Sequence, residues 1–223
     1  MITLSHLSLL LLLITLSLSK DPADSWLSYA TYTHSPTAKI TLLNSSWIVP
    51  EDPRLYYGSN APGFWFGIQT ADGNGALIQP ILAWADGYPE YTIFNGVFDW
   101  NDDSWFQSKS SRVNPGDHID ASVMYDENED VYVMYIGCRE SGWEIQSKKK
   151  VQAGQIEATA YFVVEHQPDF CRAYPRNGGI TFTDIVLEVE GKRVQPDWEA
   201  KQQKPACDSQ GKIVSPTTIK FTW

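Results

Sequence analysis

The amino-acid sequence predicts an all-β fold, an antiparallel β-sandwich in which two sheets pack face to face. Apolar and polar residues alternate with a period of two, most clearly over residues 118–125, HIDASVMY. Turn signals made of Gly, Pro, Asn and Asp recur along the chain at the spacing that a sandwich requires. No segment shows the periodicity of an amphipathic helix, which leaves about a dozen strands as the elements of the fold.

Five strands are expected in the first half of the chain, at residues 25–33, 38–50, 63–69, 75–84 and 91–100. All five are rich in aromatic, β-branched or other apolar side chains. Pro50 ends the second strand, and the segment ADGNG between the third and fourth strands is typical of a hairpin turn. Asn95 and Gly96 predict a bulge within the fifth strand.

Six further strands are expected in the second half, at residues 118–125, 131–137, 142–148, 155–166, 180–191 and 217–223. The acidic segment DENED, residues 126–130, separates the first two of these and predicts a hairpin with a solvated tip. Its carboxylates lack the D-x-[DN]-x-[DN]-G spacing of a calcium loop. The sequence contains no internal repeat, and no change in composition marks a second domain.

Length and charge indicate a single secreted domain in a chain of 223 residues. Residues 1–19 carry no Lys, Arg, Asp or Glu and contain a Leu-rich core, which predicts a signal peptide cleaved before Lys20. A retained membrane anchor is the alternative interpretation of this segment. Residues 20–223 then form one β-sandwich domain without a second segment able to span a membrane. The net charge of −10 argues against nucleic acid as a partner.

Three cysteines, Cys138, Cys171 and Cys207, allow one disulfide and one free thiol, and the sequence does not decide which two are paired. The triplet that begins at Asn44, Asn-Ser-Ser, is an acceptor sequence for N-glycosylation. No CxxC motif and no His/Cys cluster predicts a metal site, and no cofactor is expected.

Gln79 interrupts the apolar run GALIQPILAW, residues 75–84. Alternation along a strand places it on one face with Leu77 and Ile81. A buried amide that lacks partners costs about 1–3 kcal/mol, so Gln79 is either paired structurally or faces a site. In a site, its N–H groups are suited to stabilising an oxyanion.

Glu165 ends the apolar run AYFVVE and shares a strand face with Tyr161 and Val163, while Phe162 and Val164 point the other way. If the first face lines a cleft, the carboxylate is placed to act as a general acid or base. The alternative is that the strand ends at Glu165 and leaves the carboxylate in water. A carboxylate and a carboxamide that face each other across a sheet are suited to acid–base chemistry on an amide bond.

Six aromatic residues are candidates for the wall of a substrate groove: Trp65, Trp84, Trp100, Trp105, Tyr56 and Tyr57. Trp65 and Trp84 lie inside apolar strands, where core packing is the favoured interpretation. Trp100 and Trp105 lie among Asp residues and are expected to be more exposed. Aromatic rings also line sugar-binding faces, so a glycan ligand stays open as an alternative.

Other hydrolytic mechanisms have little support in the sequence. It contains no G-x-S-x-G, no H-E-x-x-H and no Gly-rich phosphate loop. Of the four His residues, only His118 and His166 lie beyond residue 34, and no motif surrounds either of them. Ser–His–Asp and Cys–His chemistry are therefore not expected.

Seven short motifs follow one another along the chain: WIVP (47–50), WFGIQ (65–69), ALIQ (76–79), FDW (98–100), PGD (115–117), AYFVVE (160–165) and ITFTD (180–184). Their order and spacing together are more specific than any one of them. In this order the sequence resembles the glutamic peptidases, the eqolisin or G1 family. The resemblance extends over nearly the whole chain after the N-terminal segment.

This resemblance implies a concanavalin A-like double-sheet sandwich of jelly-roll type, with a catalytic pair at Gln79 and Glu165. In the family, the Glu acts as a general base on a water molecule that attacks the peptide carbonyl, and it then protonates the leaving amine. The Gln orients the water and stabilises the oxyanion. The resemblance also implies a polypeptide substrate and activity in acid. Trp65 matches a tryptophan of the family's substrate cleft.

Four positions differ from the family's pattern. Gln69 stands where an Asp near the catalytic pair is usual, and Asp99 stands where a Glu is expected. Val97 stands in place of a second cleft tryptophan, and Pro80 in place of a small hydroxyl residue. The residues expected to contact the substrate are Trp65, Gln69, Asp99 and Trp100.

The sequence therefore predicts a secreted, monomeric endopeptidase that acts in acid through Glu165 and Gln79. Its expected location is the extracellular space or the acidic lumen of the secretory or lysosomal route. Two alternatives come from other classes. One is a non-catalytic secreted β-sandwich module that binds glycans or an extracellular protein. The other is a glycosidase with Glu165 and Asp99 as its two carboxylates.

Overall fold

The computed structural model describes residues 24–53, 62–84, 90–166, 171 and 173–223. Within these ranges the chain forms two sheets of eight strands each, and neighbouring strands are antiparallel. The predicted antiparallel β-sandwich is confirmed. No helix in the described ranges is long and apolar enough to cross a membrane. The expected signal peptide, residues 1–19, and the aromatic candidates Tyr56 and Tyr57 lie outside the described residues.

The strands are numbered β1 to β16 in chain order. Sheet I contains β1 (Trp26–Thr33), β3 (Gly63–Thr70), β4 (Ala76–Trp84), β5 (Tyr91–Asp99), β6 (Ser104–Gln107), β7 (Ser111–Val113), β11 (Glu157–Glu165) and β14 (Glu199–Gln202). Sheet II contains β2 (Ile40–Ile48), β8 (His118–Asp126), β9 (Val131–Cys138), β10 (Trp143–Lys149), β12 (Gly179–Val189), β13 (Lys192–Val194), β15 (Gln210–Ser215) and β16 (Thr218–Thr222).

The strand order of sheet I is β14-β1-β11-β3-β4-β5-β6, and β7 pairs with β5 beside β6. The strand order of sheet II is β10-β9-β8-β2-β12-β16-β15, and β13 pairs with β12. The chain crosses between the sheets repeatedly, so that strands distant in sequence become neighbours. The centre of sheet I is formed in this way by β11, β3 and β4, the strands that carry Glu165, Trp65 and Gln79.

All eleven expected strands are present, and the hairpins β3–β4 and β8–β9 are confirmed. The bulge expected at Asn95 and Gly96 is wrong, because β4 and β5 pair in unbroken register through both residues. The other edge of β5 instead changes its partner there, from β7 to β6. The five strands that the pattern did not predict have between three and six residues, too few for a period of two to be recognised: β6, β7, β13, β14 and β15.

The main hydrophobic core lies between the two sheets, and aromatic side chains fill its centre. Phe66 and Phe162 of sheet I meet Trp47 and Phe182 of sheet II, and all four side chains are buried. The Phe162 and Phe182 ring centroids lie 5.0 Å apart, and those of Trp47 and Phe182 lie 5.4 Å apart. Inclined ring pairs of this kind are the arrangement that aromatic side chains prefer. These rings hold the two sheets together.

Sheet I also buries apolar side chains on its other face. This outer cluster consists of Trp26, Tyr29, Trp65, Leu77, Ile81, Phe94, Tyr161 and Val163. Because side chains alternate along a strand, successive residues of β1, β3, β4 and β11 enter the main core and the outer cluster in turn. Burial on both faces explains why these strands are continuous apolar runs, with Gln79 and Glu165 as exceptions.

A disulfide joins Cys171 to Cys207, and Cys138 is a buried free thiol. The pairing that the sequence left open is therefore decided. The two half-cystines are 36 residues apart in sequence. By the chain-entropy argument, closing a loop of this length stabilises the fold by about 3–4 kcal/mol.

Glu157, the first residue of β11, is completely buried. Neither of its carboxylate oxygens has a hydrogen-bond partner in the described chain. Burial raises the pKa of Glu157 to about 8, with smaller contributions in the same direction from the negative charges of Asp99 and Asp72. Lys149 and Lys39 oppose this shift. The carboxyl group is therefore mainly protonated in acid and at neutral pH, and it is the neutral form that the fold accommodates.

We expect the free energy of unfolding to fall as the pH rises from about 4.5 to about 8. Within this window the folded chain keeps a proton on Glu157 that the unfolded chain releases, so alkali favours unfolding. Each pH unit in the window lowers the free energy of unfolding by up to about 1.4 kcal/mol. Chemical denaturation at a series of pH values measures this slope, and Glu157→Gln should make it flatter.

The matched control is Glu127→Gln, which changes an exposed carboxylate in the turn between β8 and β9. This variant should keep the pH dependence of the wild type. If Glu157→Gln lost stability with rising pH as steeply as the wild type, the buried carboxyl group would not be the origin of the slope.

Candidate active site

Gln79 lies on β4 at the centre of sheet I, on the face of the outer cluster. Its strand neighbours on that face, Leu77 and Ile81, belong to the outer cluster, as the alternation predicts. On β5 its direct partner is Gly96. On β3 it lies beside Gly67, because a Cβ atom at Gly67 would be 3.2 Å from the Cβ atom of Gln79. The amide therefore stands between two residues that have no side chains.

The Oε1 atom of Gln79 is buried and has no hydrogen-bond partner among the described residues. A buried acceptor without a partner costs about 1–3 kcal/mol. The alternative in which Gln79 is a structural amide with all its hydrogen bonds satisfied does not fit this oxygen. The side chain is instead available to a water molecule or a ligand that reaches this face of the sheet.

Glu165 is the last residue of β11, where it pairs with Gly63 of β3 and with Trp26 of β1. The expectation that the strand ends here is correct, but the carboxylate is half-buried rather than free in water. Ser25 donates its hydroxyl hydrogen to Oε1 at 2.7 Å, and the Nε1 atom of Trp65 donates to Oε2 at 2.8 Å. Both oxygens are thus held, one by each neighbouring strand segment. Two hydrogen bonds of this kind fix the orientation of the carboxylate.

The two faces of β11 are divided as the sequence predicts. Tyr161 and Val163 belong to the outer cluster, and Phe162 and Val164 belong to the main core. Glu165 contacts Trp65, which is also in the outer cluster, so the carboxylate lies on this face. Gln79 and Glu165 therefore project from the same face of sheet I. We call this face, between the two side chains, the groove face.

Trp65 is buried, with 1% of its surface exposed, and packs edge-to-face on Trp26 at 5.1 Å. The ring of Trp65 therefore has a packing role, which is the favoured interpretation for a tryptophan inside an apolar strand. Its indole N–H nevertheless reaches Glu165, so that the residue positions the candidate carboxylate. Trp84 is likewise buried, where its ring packs on Tyr91.

Gln69 of β3 is buried on the groove face, and its amide closes the hairpin to β4. Its Nε2 atom donates to the carbonyl oxygens of Gly73 and Gly75, each at 3.2 Å. Its Oε1 atom has no partner in the described chain. Trp100 is half-buried and packs on Phe98 with 4.3 Å between ring centroids. Contact of either residue with a substrate stays a prediction.

The position predicted for Asp99 is wrong. Asp99 pairs with Ala76, a main-core residue, and so faces the interior of the sandwich rather than the groove. There it forms an ion pair with Lys149 of sheet II at 2.6 Å. Burial opposes ionisation of Asp99, but hydrogen bonds from Lys149 and Asn101 outweigh it and lower the pKa. Asp99 is thus a link between the sheets, and the glycosidase alternative loses its second carboxylate.

Val97 is also placed in the main core, so it does not replace a groove tryptophan. The residues of β5 that face the groove are Phe94, Gly96 and Phe98. They alternate with Val97 and Asp99, the positions that the family resemblance suggests, so the resemblance is out of register by one residue. The pairing of β4 with β5 determines which residues of β5 face the groove, whereas the motif FDW alone does not.

Ser25, just before β1, is not predicted as a site residue, because a serine next to a strand gives no signal of its distant partner.

Other predicted sites have simple structural settings. Asn44 lies on β2 in sheet II, half-buried, and its side-chain amide donates to the carbonyl oxygen of Asp184 at 3.2 Å. Its glycosylation stays a prediction.

Asp117, Cys138 and Glu140 bring three potential metal-ligand atoms within 4.8 Å of one another. Backbone N–H groups already hold both carboxylates, and we assign no metal to this group.

Comparison with known proteins identifies the family. Residues 30–219 match the profile of the Peptidase A4 family, and the chain belongs to this family. The resemblance to the glutamic peptidases is thereby confirmed. No curated protein matches the sequence significantly.

Solved structures of glutamic peptidases share the fold. Scytalido-glutamic peptidase with a transition state analog inhibitor has a TM-score of 0.67 at 15% identity, over 89% of this chain and 98% of that chain. SCP-B, an eqolisin in complex with the tripeptide Ala-Ile-His, has a TM-score of 0.61 at 14% identity over the same shares. Aspergilloglutamic peptidase from Aspergillus niger has a TM-score of 0.51 at 18% identity, over 73% of this chain and 98% of that chain.

Gly67 should be required for the close approach of β3 and β4 at Gln79. A Cβ atom at this position would lie 2.6 Å from the carbonyl oxygen of Ile78, which is backbone and cannot turn away. We therefore expect Gly67→Ala to lower the free energy of unfolding by about 1–3 kcal/mol. Denaturant unfolding measures the change.

Gly63 provides a control on the same strand and face. Its added Cβ atom would lie 3.5 Å from the carbonyl oxygen of Leu82, an ordinary contact. Gly63→Ala should therefore have a much smaller effect on stability. Equal effects of the two substitutions would contradict the argument from strand approach, since both exchange glycine for alanine within a strand.

Proposed function

We propose that this protein is a secreted glutamic endopeptidase that hydrolyses peptide bonds in acid. The observation that carries the proposal is the arrangement on the groove face, in a member of the Peptidase A4 family. The carboxylate of Glu165 is fixed by donors to both oxygens, and Gln79 offers a buried amide on the same face with an unsatisfied oxygen. An oriented carboxyl group and a polar amide are the two groups that amide hydrolysis by this route requires.

In the proposed mechanism, Glu165 takes a proton from a water molecule as the water oxygen attacks the carbonyl carbon of the substrate. Gln79 donates a hydrogen bond from Nε2 to the developing oxyanion, a contribution of a few kcal/mol in comparable sites. Glu165 then delivers the same proton to the amide nitrogen, the C–N bond breaks, and the second water proton leaves with the new carboxyl product. Base catalysis of this kind contributes about 100- to 10,000-fold.

Each group has a defined part in this scheme, and neither a metal ion nor a cofactor takes part. Ser25 and Trp65 orient the carboxylate, so that one of its lone pairs can point to the water. The Oε1 atom of Gln79 is suited to accept the second hydrogen of the same water, which would satisfy its missing hydrogen bond. Gly67 allows β3 to approach β4 closely beside Gln79, and Gly96, the partner of Gln79 on β5, adds no side chain of its own.

Acid conditions suit the protein for a separate reason. The buried Glu157 is neutral below a pH of about 8, so acidification does not place a charge in the core. The disulfide supports an oxidising compartment. Together with the predicted signal peptide, these features support the extracellular space or an acidic lumen of the secretory route as the location.

The first test is cleavage of a denatured protein from acid to neutral pH by the wild type and by Glu165→Gln. The wild type should cleave in acid only and should be insensitive to metal chelators. Glu165→Gln keeps the shape of the side chain but cannot accept the proton, so activity should fall by at least about 100-fold. Loss of activity should occur without a change in the unfolding curve.

The exposed Glu127→Gln serves as the control and should keep full activity. If the folded wild type cleaved no substrate at any pH, the catalytic proposal would be wrong. The groove would then be a binding surface, and the non-catalytic module would become the better hypothesis. A Glu165→Gln variant that retained wild-type activity would reject the assignment of the base.

The hydrogen bond from Trp65 to Glu165 should also affect turnover. Trp65→Phe keeps an aromatic ring in the outer cluster but removes the N–H donor, so the carboxylate loses the hydrogen bond to its Oε2 atom. A hydrogen bond to a charged group contributes about 1.5–3 kcal/mol, which predicts a fall in kcat/KM of about 10- to 100-fold.

Trp198→Phe is the matched control, because Trp198 is another buried tryptophan whose indole N–H donates to the carbonyl oxygen of Pro216 at 3.0 Å. This variant loses a hydrogen bond of similar length in the main core. It should lose stability but keep kcat/KM once folded. A similar loss of kcat/KM in both variants would show that the effect at Trp65 is general destabilisation.

A further inference from the structure

The place beside Gln79 on β5 carries no side chain of its own. Gly96 is the direct partner of Gln79, whereas the next residues on either side, Asn95 and Val97, point into the sandwich. The space next to the proposed oxyanion donor is therefore available to a side chain from another strand.

Trp105 of the edge strand β6 occupies this space. It pairs with Phe98, and alternation places it on the groove face. A Cβ atom on Gly96 would lie 2.6 Å from the Cη2 atom of Trp105 and 2.7 Å from the Cδ1 atom of Ile81. The indole thus lies over the backbone of Gly96, next to Gln79, and its far edge approaches the outer cluster at Ile81.

Trp105 keeps 49% of its surface exposed, as its sequence setting predicts. One part of the ring is packed on Gly96, and the rest is open to water. An indole held in this way gains favourable free energy when an apolar group covers it, because the ring is already ordered and its exposed surface leaves water. The neighbouring Phe106 is 46% exposed but pairs with Val97, so it stands on the opposite face of the sheet.

The negative charges near the indole of Trp105 also affect which substrate side chains bind to it. Asp102 and Asp103 are exposed in the turn that leads into β6. Because these carboxylates belong to residues shortly before Trp105 in the chain, their negative charge disfavours an acidic substrate side chain on the indole and does not disfavour an apolar one. The position of Trp105, its exposed surface and the negative charges of Asp102 and Asp103 therefore all favour an apolar substrate side chain.

We propose that Trp105 forms a substrate subsite beside Gln79, which selects a bulky apolar side chain next to the scissile bond. The proposal rests on the proposed function, because Gln79 marks the position of the scissile carbonyl. Trp105 takes no part in bond cleavage. It contributes binding of the substrate side chain, so it sets which bonds are cleaved.

The test compares peptides that differ only in one residue beside the scissile bond, either Phe, Ala or Glu. The wild type should cleave the Phe peptide with a kcat/KM about 10-fold or more above that of the Ala peptide, and should cleave the Glu peptide least. Trp105→Ala should remove most of the preference for Phe while changing the Ala peptide little. Trp105→Phe should keep much of the preference.

Phe106→Ala is the control, since it removes an equally exposed ring from the same strand but from the other face. It should leave the preference unchanged. Equal losses for all three peptides in Trp105→Ala would show that the indole only supports Gln79, and an unchanged preference would show that it does not contact the substrate. Either result overturns the proposal.

A binding experiment separates this proposal from the failure of the catalytic one. In the Glu165→Gln background, the dissociation constants of the Phe and Ala peptides should differ by about 10-fold, and Trp105→Ala should remove that difference. If the wild type cleaves nothing but this difference is found, the subsite stands and the peptidase mechanism falls. If cleavage is found without the difference, the reverse holds.

Discussion

Burial of sheet I on both faces is the constraint on which the rest of the structure depends. One face supplies the aromatic contact with sheet II, and the other supports the outer cluster around Trp65. Each central strand must then place apolar residues at nearly every position. A polar side chain in such a strand costs free energy unless hydrogen bonds or a functional role offset it. Gln79 and Glu165 stand out for this reason.

The two ends of β11 place carboxyl groups in different surroundings. At one end, Glu165 receives two hydrogen bonds, from Ser25 and Trp65, which fix the orientation of its carboxylate. At the other end, Glu157 is buried without a partner in the described part of the chain, which favours the neutral acid. One strand thus carries a carboxylate that two donors orient and a carboxyl group that burial keeps neutral.

Most of sheet I and the candidate pair, Gln79 and Glu165, follow from sequence because long buried strands give strong patterns. Gln79 and Glu165 were recognised as polar exceptions, and the division of faces along β11 was correct. The faces of Val97 and Asp99 were wrong because a shift of one residue moves a side chain to the other face of a sheet. Motif matching does not fix that register. It is fixed by the pairing of β4 with β5, which depends on the hairpin contacts of the folded chain.

The short strands, and the contacts between residues far apart in sequence, could not be predicted from the sequence for physical reasons. The edge strand β6 has four exposed residues, so burial imposes no alternation on it. The choice of Cys171 and Cys207 as the bonded pair depends on which loops the fold brings together. The same holds for Ser25, which meets Glu165 across 140 positions of sequence. Such contacts are consequences of the topology, not of the local pattern.

The groove face of this chain combines a retained pair with changed surroundings. Gln69 turns its amide to the hairpin carbonyls, and Asp99 lies beneath the sheet bound to Lys149. On the described groove face, Glu165 is then the carboxylate to which the proposed mechanism assigns proton transfer. Trp105 packs over Gly96, so an aromatic ring lies beside Gln79. In the proposed mechanism one carboxylate therefore transfers the proton, and the proposed subsite at Trp105, next to Gln79, selects the substrate side chain.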